Sequence, residues 1–202
     1  MTNNVPLIRN TEKTVSQIQK EILPSCNEFF VQVGYFWFSG FDEIYKSLNI
    51  DKNKMIFSIF PNVSFDSPAL GQGIDELDMF DTLNFIVKNA QNYNNIQFVI
   101  RAHPAEINVP DYLKASIKIT DAVREKNLKI PENVFLVESN SNISSYSLCE
   151  MSDEIFFFST TLGIEMLNKG QMISTLGGKA YYSNKGFSKD IYTKSDLFEF
   201  LN

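Results

Sequence analysis

Four short stretches carry the side chains able to do chemistry, and each sits at the end of an apolar run. Pro61-Asn62-Val63-Ser64-Phe65-Asp66 follows MIFSIF, and Arg101-Ala102-His103-Pro104-Ala105-Glu106 closes IQFVIR. Glu138-Ser139-Asn140 follows VFLV, and Ser159-Thr160-Thr161-Leu162-Gly163-Ile164-Glu165 follows EIFFF. The last stretch is the most informative. Ser159 and Thr160 are good N-cap residues placed directly before a helical pattern. A helix start offers unpaired backbone N–H groups and the positive end of the helix dipole. Hydroxyls beside those donors are what a phosphate site needs. Thr161 and Glu165 are four apart and share a helix face. A carboxylate one turn in from a bound phosphate can accept hydrogen bonds from ribose hydroxyls. Plain capping with a solvated Glu165 fits the same spacing.

His103 is the only histidine. Pro104 biases it toward extended geometry. It can donate to a phosphate or carboxylate, or be satisfied by neighbouring backbone. A single histidine cannot anchor a multi-histidine metal site, so no metal is expected. Arg101 can pair with a phosphate or with Glu106. Asp66, Glu106 and Glu138 are candidate cleft-lining acids, Asp66 serving equally as a turn residue. The acids at Asp75, Glu76 and Asp78 suit the dipole of a helix start. Gly71-Gln72-Gly73 lacks the spacing of a dinucleotide loop. Lys179, Lys185 and the Tyr181-Tyr182 pair follow the last apolar run, as flanks of a sugar or base or as loop surface.

The elements that must position these residues alternate. MIFSIF (55–60), IQFVIR (96–101), VFLV (134–137), EIFFF (154–158) and QMISTL (171–176) are short apolar runs that predict buried strands. Helical spacing lies between them, over 75–90, 111–125, 143–151 and 161–169, with a terminal helix over 195–201. Gly170 stands where a left-handed helix cap is expected. Strands that are apolar rather than alternating predict a parallel sheet covered on both faces. The fold class is therefore α/β, a doubly wound parallel sheet of Rossmann-like type over 55–202. In such sheets ligands sit outside the carboxyl ends of the strands, where all four stretches fall. Residues 1–54 read as an N-terminal arm. Helical spacing over 11–23 ends at Pro24, the aromatic block 29–38 reads as a strand or buried arm broken at Gly40, and 41–49 is a short helix.

Composition narrows the function. Eighteen Lys+Arg against 24 Asp+Glu leave a net charge of −6, which argues against broad nucleic-acid binding. Cys26 and Cys149 are the only cysteines, too few for a disulfide framework or a zinc site. The N-terminus has no basic-then-apolar targeting pattern, and no apolar run approaches the roughly 20 residues of a membrane span. A cytoplasmic protein is expected, with a peripheral place at the inner face of the membrane through a partner.

FPNVSFD (60–66), RAHPAE (101–106) and STTLGIEMLNKGQMISTLGGKAYYSNKGFS (159–188), in that order, resemble the capsular polysaccharide synthesis glycosyltransferases. That family includes enzymes that transfer Kdo, an eight-carbon acidic sugar, from CMP-Kdo. The resemblance covers about residues 55–190. It implies a GT-B architecture, two Rossmann-like domains facing a cleft, of which this chain would be the C-terminal, donor-nucleotide half. It further implies that His103 faces the donor phosphate, that Ser159, Thr160 and Thr161 hold it at the helix start, and that Glu165 holds the ribose. Arg101 and Glu106 flank the motif. The chain departs from its relatives at Gly186-Phe187-Ser188, where a Gly-Leu-Thr-like stretch is common, and at Phe65, where tryptophan is common.

The resemblance implies a nucleotide-sugar donor, CMP- or UDP-linked, and a glycan or glycolipid acceptor, with no cofactor. Residues 1–54 are too few for an acceptor domain of ordinary size, so one is expected from a partner chain or from a missing part of the gene. Two other readings stand beside it. A CDP-glycerol glycerophosphotransferase would also pair a His-Pro loop with a hydroxyl-rich helix start. A truncated transferase would bind nucleotide without turnover.

Overall fold

A computed structural model describes residues 34–64, 77–107, 118–178 and 180–202. The expectations placed on the helix 11–23, on Cys26, Asp66, Gly71, Gly73, Asp75, Glu76 and Lys179 lie outside the described residues. The chain divides into two units, Met1–Phe38 and Ser39–Asn202, and the sheet belongs to the second.

Six strands form one sheet: β1 (Met55–Phe60), β2 (Ile96–Arg101), β3 (Val134–Val137), β4 (Glu154–Phe157), β5 (Ser174–Leu176) and β6 (Lys189–Ile191). Their order is β3-β2-β1-β4-β5-β6, and every adjacent pair is parallel. This is the strand order of dinucleotide-binding folds. The doubly wound α/β class expected from the apolar strands is the observed one.

The apolar runs become strands because both of their faces are covered. In β1 and β4 successive residues alternate between two cores. Phe57, Ile59 and Phe156 face one, with Leu83 and Val87 of α2 (Met79–Asn89), Ile119 and Val123 of α3 (Ile119–Lys126), and Leu197 of the C-terminal helix Lys194–Leu201. Ile56, Phe60, Ile155 and Phe157 face the other, with Leu148 of α4 (Ser145–Met151) and Met166 of α5 (Thr161–Asn168). The C-terminal helix is α6. Phenylalanines meet across strands on both faces: Phe57 and Phe156 at 5.8 Å between ring centres, Phe60 stacked on Phe157 at 5.2 Å. Each fully buried side chain of this size contributes about 1.5–3 kcal/mol.

Three elements differ from expectation. Helix α1 runs Gly34–Leu48, through the break predicted at Gly40. A single mid-helix glycine costs only about 1 kcal/mol against alanine, and Ile44 of α1 is buried in the second core, which offsets it. Strand β5 is shorter than QMISTL, and β6 carries no periodic signal because Lys189 is exposed and only Ile191 of its three residues is buried. Helix α3, Ile119–Lys126, forms the end of the helix expected over 111–125, of which 111–117 lie outside the described residues. Gly170, Gly177 and Gly178 have positive φ, and Gly170 ends α5 as its position implied.

Candidate functional site

Strand order places β1 and β4 side by side although 93 residues separate their ends, Phe60 and Glu154 bounding the excursion through β2 and β3. The chain winds outward from β1 in one direction and returns to start the other, so a crevice opens at the carboxyl ends of this pair. Its two banks are clasped together. Asn62 Nδ2 donates to Ser159 Oγ at 3.0 Å, and Ser159 N donates to Asn62 Oδ1 at 3.1 Å. Asn62 is buried, so the clasp is fixed in place. The Ser159 hydroxyl, expected at a phosphate, accepts from this amide and has only its own proton to offer.

Beside the clasp, Thr160 is the N-cap of α5, with extended backbone at φ −71° and ψ 149°. Its hydroxyl makes no capping hydrogen bond. Thr160 is 8% exposed, and Oγ1 is buried without a partner among the described residues. A buried hydroxyl left so costs about 1–3 kcal/mol. The Thr160 carbonyl accepts from the Tyr182 hydroxyl at 3.0 Å and from Gly163 N at 3.2 Å. The Tyr182 ring lies so close over the first turn of α5 that a Cβ on Gly163 would fall 2.6 Å from its Cζ. Burial pushes the Tyr182 phenol up, so it remains a donor.

Thr160 and Thr161 line a cleft of about 70 Å³ together with Phe60, Arg101, His103 and Ser145. The imidazole and two of the three expected hydroxyls therefore meet at one rim of the sheet. The cleft is far below the roughly 300–1,000 Å³ of a site that encloses a whole organic ligand, and it has room for an anionic head group. The Thr161 and Leu162 N–H groups at its edge are among those a helix start leaves unpaired. A larger groove of about 710 Å³ opens at the opposite rim, lined in part by Gln97 and Asn133. Those amides bond backbone groups of Asp51, Ala90, Tyr93 and Ile96, which makes them scaffold.

His103 is half-buried, and its Nδ1 accepts from Ala105 N at 3.1 Å. That bond puts the proton of the neutral ring on Nε2. Arg101 lines the cleft, but its guanidinium is turned to backbone. Nη1 donates to the carbonyls of Ala102, at 2.9 Å, and Glu138, and Nη2 to that of Ser141 at 3.3 Å. Burial lowers its pKa, with Glu106 acting against the shift. The geometry thus makes Arg101 a tie between the ends of β2 and β3.

Glu106 and Glu138 are absent from the cleft lining and serve α3. Glu106 Oε1 accepts from Ile119 N at 3.3 Å, and Oε2 is buried without a partner among the described residues. Burial raises its pKa, outweighing the bond from Ile119. Glu138 accepts from Thr120 Oγ1 at 2.7 Å and from Arg124 Nη2. Burial works to raise its pKa, but those two donors hold it below the ordinary range. Glu165 is exposed on α5, and its Oε2 accepts from the Tyr146 hydroxyl of α4. Of the Tyr181-Tyr182 pair, Tyr181 is exposed and Tyr182 buried; Lys185 is exposed. Asp78 caps α2, accepting from the backbone of Phe80 and Asp81. Among the described residues no three or more metal-binding side chains cluster, and no helix is long and apolar enough to cross a membrane.

Reading along the chain missed Ser145 as part of this site, and it named Asn62 and Tyr182 only within longer stretches, without the bonds they make here. Asn62 stands two residues past β1 and Ser159 two past β4, a matched placement that becomes visible only once the two strands are known to be neighbours.

No protein-family model matches the chain, and no curated protein matches it. Solved structures share its fold at low identity. MnaA of S. aureus in complex with UDP is 11% identical, with a TM-score of 0.53 over 84% of this chain and 39% of that one. A UDP-GlcNAc 2-epimerase from Neisseria meningitidis bound to UDP-GlcNAc is 14% identical, with a TM-score of 0.50 over 81% and 42%. The β-Kdo 2,4 transferase KpsC of Thermosulfurimonas dismutans is 14% identical, with a TM-score of 0.50 over 82% and 42%. This chain spans less than half the length of each. Its Rossmann-like unit corresponds in fold to one half of a GT-B architecture.

Proposed function

We propose that this chain is the donor-binding half of a nucleotide-sugar glycosyltransferase of capsule or surface polysaccharide synthesis. The observation that carries the reading is the Thr160 hydroxyl, buried and without a partner among the described residues at the start of α5, in the same cleft as His103. A donor phosphate seated there would accept from Thr160, from Thr161 and the first N–H groups of α5, and from His103. Glu165, one turn further along, would take the ribose. Two carriers of the fold hold UDP or UDP-GlcNAc, and a third is a Kdo transferase, which supports a nucleotide-sugar ligand.

In this reading helix dipole and hydroxyls stabilise the departing phosphate, so transfer needs neither metal nor cofactor. The acceptor, a glycan or glycolipid, and the groups that activate it belong to a second domain or partner chain. In this reading the work is done in the cytoplasm, at the inner face of the membrane when the acceptor is a lipid. The isolated chain then binds donor without turning it over.

Titration calorimetry with CMP, CDP and UDP tests this. Binding of at least one of them, weakened about tenfold or more in Thr160→Val, is expected. No heat from any of the three at millimolar concentration overturns the reading. Turnover of CDP-glycerol would move the chain to the glycerophosphotransferases.

A further inference from the structure

Glu165 does not stand alone on its helix. The Tyr146 hydroxyl reaches it from α4 and donates to Oε2. Tyr146 makes a second contact: Lys169 Nζ lies 5.0 Å from the centre of its ring and pairs with Glu150 at 3.1 Å. Tyrosine, glutamate and lysine thus form a lattice between α4 and α5 on the protein surface. It adjoins the cleft in sequence on both helices, since Ser145 precedes Tyr146 and Thr161 lies one turn before Glu165, and both line the cleft. A phenol bound to a carboxylate chooses one rotamer for it. Without that bond an exposed glutamate samples many, and rotamer freedom of this kind opposes ligand binding.

From this we infer that Tyr146 is a positioning residue: it fixes the Glu165 carboxylate so that the 2′- and 3′-hydroxyls of a ribose can donate to it, and so makes the ribose a determinant of nucleotide choice. A carboxylate has about four acceptor sites, and Tyr146 occupies one. The remaining ones can take a vicinal diol without displacing the phenol. The inference rests on the donor-site reading above and names the chemistry of its outer end, a ribonucleotide rather than a deoxyribonucleotide or a bare phosphate.

The experiment compares CMP, 2′-deoxy-CMP and inorganic phosphate by calorimetry on the full chain and on Tyr146→Phe, with UMP and 2′-deoxy-UMP as a parallel pair. The phenylalanine keeps the ring under Lys169 and removes only the hydroxyl. Wild type is expected to prefer the ribonucleotide by about tenfold, the scale of one net hydrogen bond. Tyr146→Phe should bring that ratio near one while leaving the deoxynucleotide and phosphate affinities unchanged. An unaltered ratio in the variant overturns the inference. Equal weakening of all three ligands also overturns it, because Tyr146 would then only brace the helix start. A wild type that binds ribo and deoxy forms alike removes the ribose role of Glu165 and leaves the phosphate site standing. A wild type that binds none of them sinks the donor-site reading itself.

Discussion

Tyr182 and Thr160 are 22 residues apart, and the hydroxyl of the first donates to the carbonyl of the second at 3.0 Å. The loop after β5 thereby holds the first turn of α5 from above, and Gly163 is the residue that lets the phenol approach so closely. Gly163→Ala must displace a ring that is 3% exposed. Overpacking of this sort costs about 1–3 kcal/mol. Tyr182→Phe keeps the ring and loses one hydrogen bond, about 1 kcal/mol. Urea unfolding should rank the two in that order, and both should weaken nucleotide binding. A Gly163→Ala variant as stable as wild type would show that the ring does not rest there.

Thr160→Val should behave oppositely on stability and binding. The hydroxyl makes no capping bond, so valine loses no cap. Removing a buried unpaired hydroxyl relieves a penalty of about 1–3 kcal/mol. The variant should unfold at equal or higher urea concentration than wild type, and bind nucleotide about tenfold or more weakly. Lower stability would mean that the hydroxyl has a structural partner in the unliganded protein.

His103→Ala is expected to weaken nucleotide binding more than folding. The His103 ring accepts from Ala105 N, a bond that contributes about 1 kcal/mol to stability. A hydrogen bond to a phosphate charge is worth about 1.5–3 kcal/mol, or roughly ten- to hundredfold in affinity. Equal affinity in wild type and variant, by calorimetry, would remove His103 from the site.

Strands β1 to β5 were legible because each falls within an apolar run, a pattern that survives in one dimension. The sheet order was not, and with it went the clasp of Asn62 and Ser159, which exists only because β1 and β4 are neighbours. His103, Thr160 and Thr161 were legible as strand-end residues, and they line one cleft. Arg101, Glu106 and Glu138 have the same credentials, yet their side chains turn to partners 13 to 40 residues away in the chain. Spacing reports what a residue can reach on its own element. It is silent about which competitor arrives first from another.

Asp190 governs the same loop from its far end, and its protonation gives the site an acid limit. Its Oδ1 accepts from Thr175 Oγ1 and Ser188 Oγ, both at 2.7 Å, and its Oδ2 from Asn184 N at 2.7 Å and from the Tyr192 hydroxyl at 3.4 Å. Partial burial works to raise the pKa, but the donors outweigh it and hold the carboxyl below the ordinary range. A carboxyl lowered on folding stabilises the protein fully above its unfolded value, about 3.9, and loses that contribution as pH falls through the folded value. Asp190→Asn should therefore be less stable than wild type by a constant margin above about pH 5, and the margin should shrink below about pH 4. Urea unfolding of both proteins across pH 3–7 reads this directly. A margin that stays constant to the acid end would show that the charge on Asp190 does not hold the loop, and with it Tyr182, in place over α5.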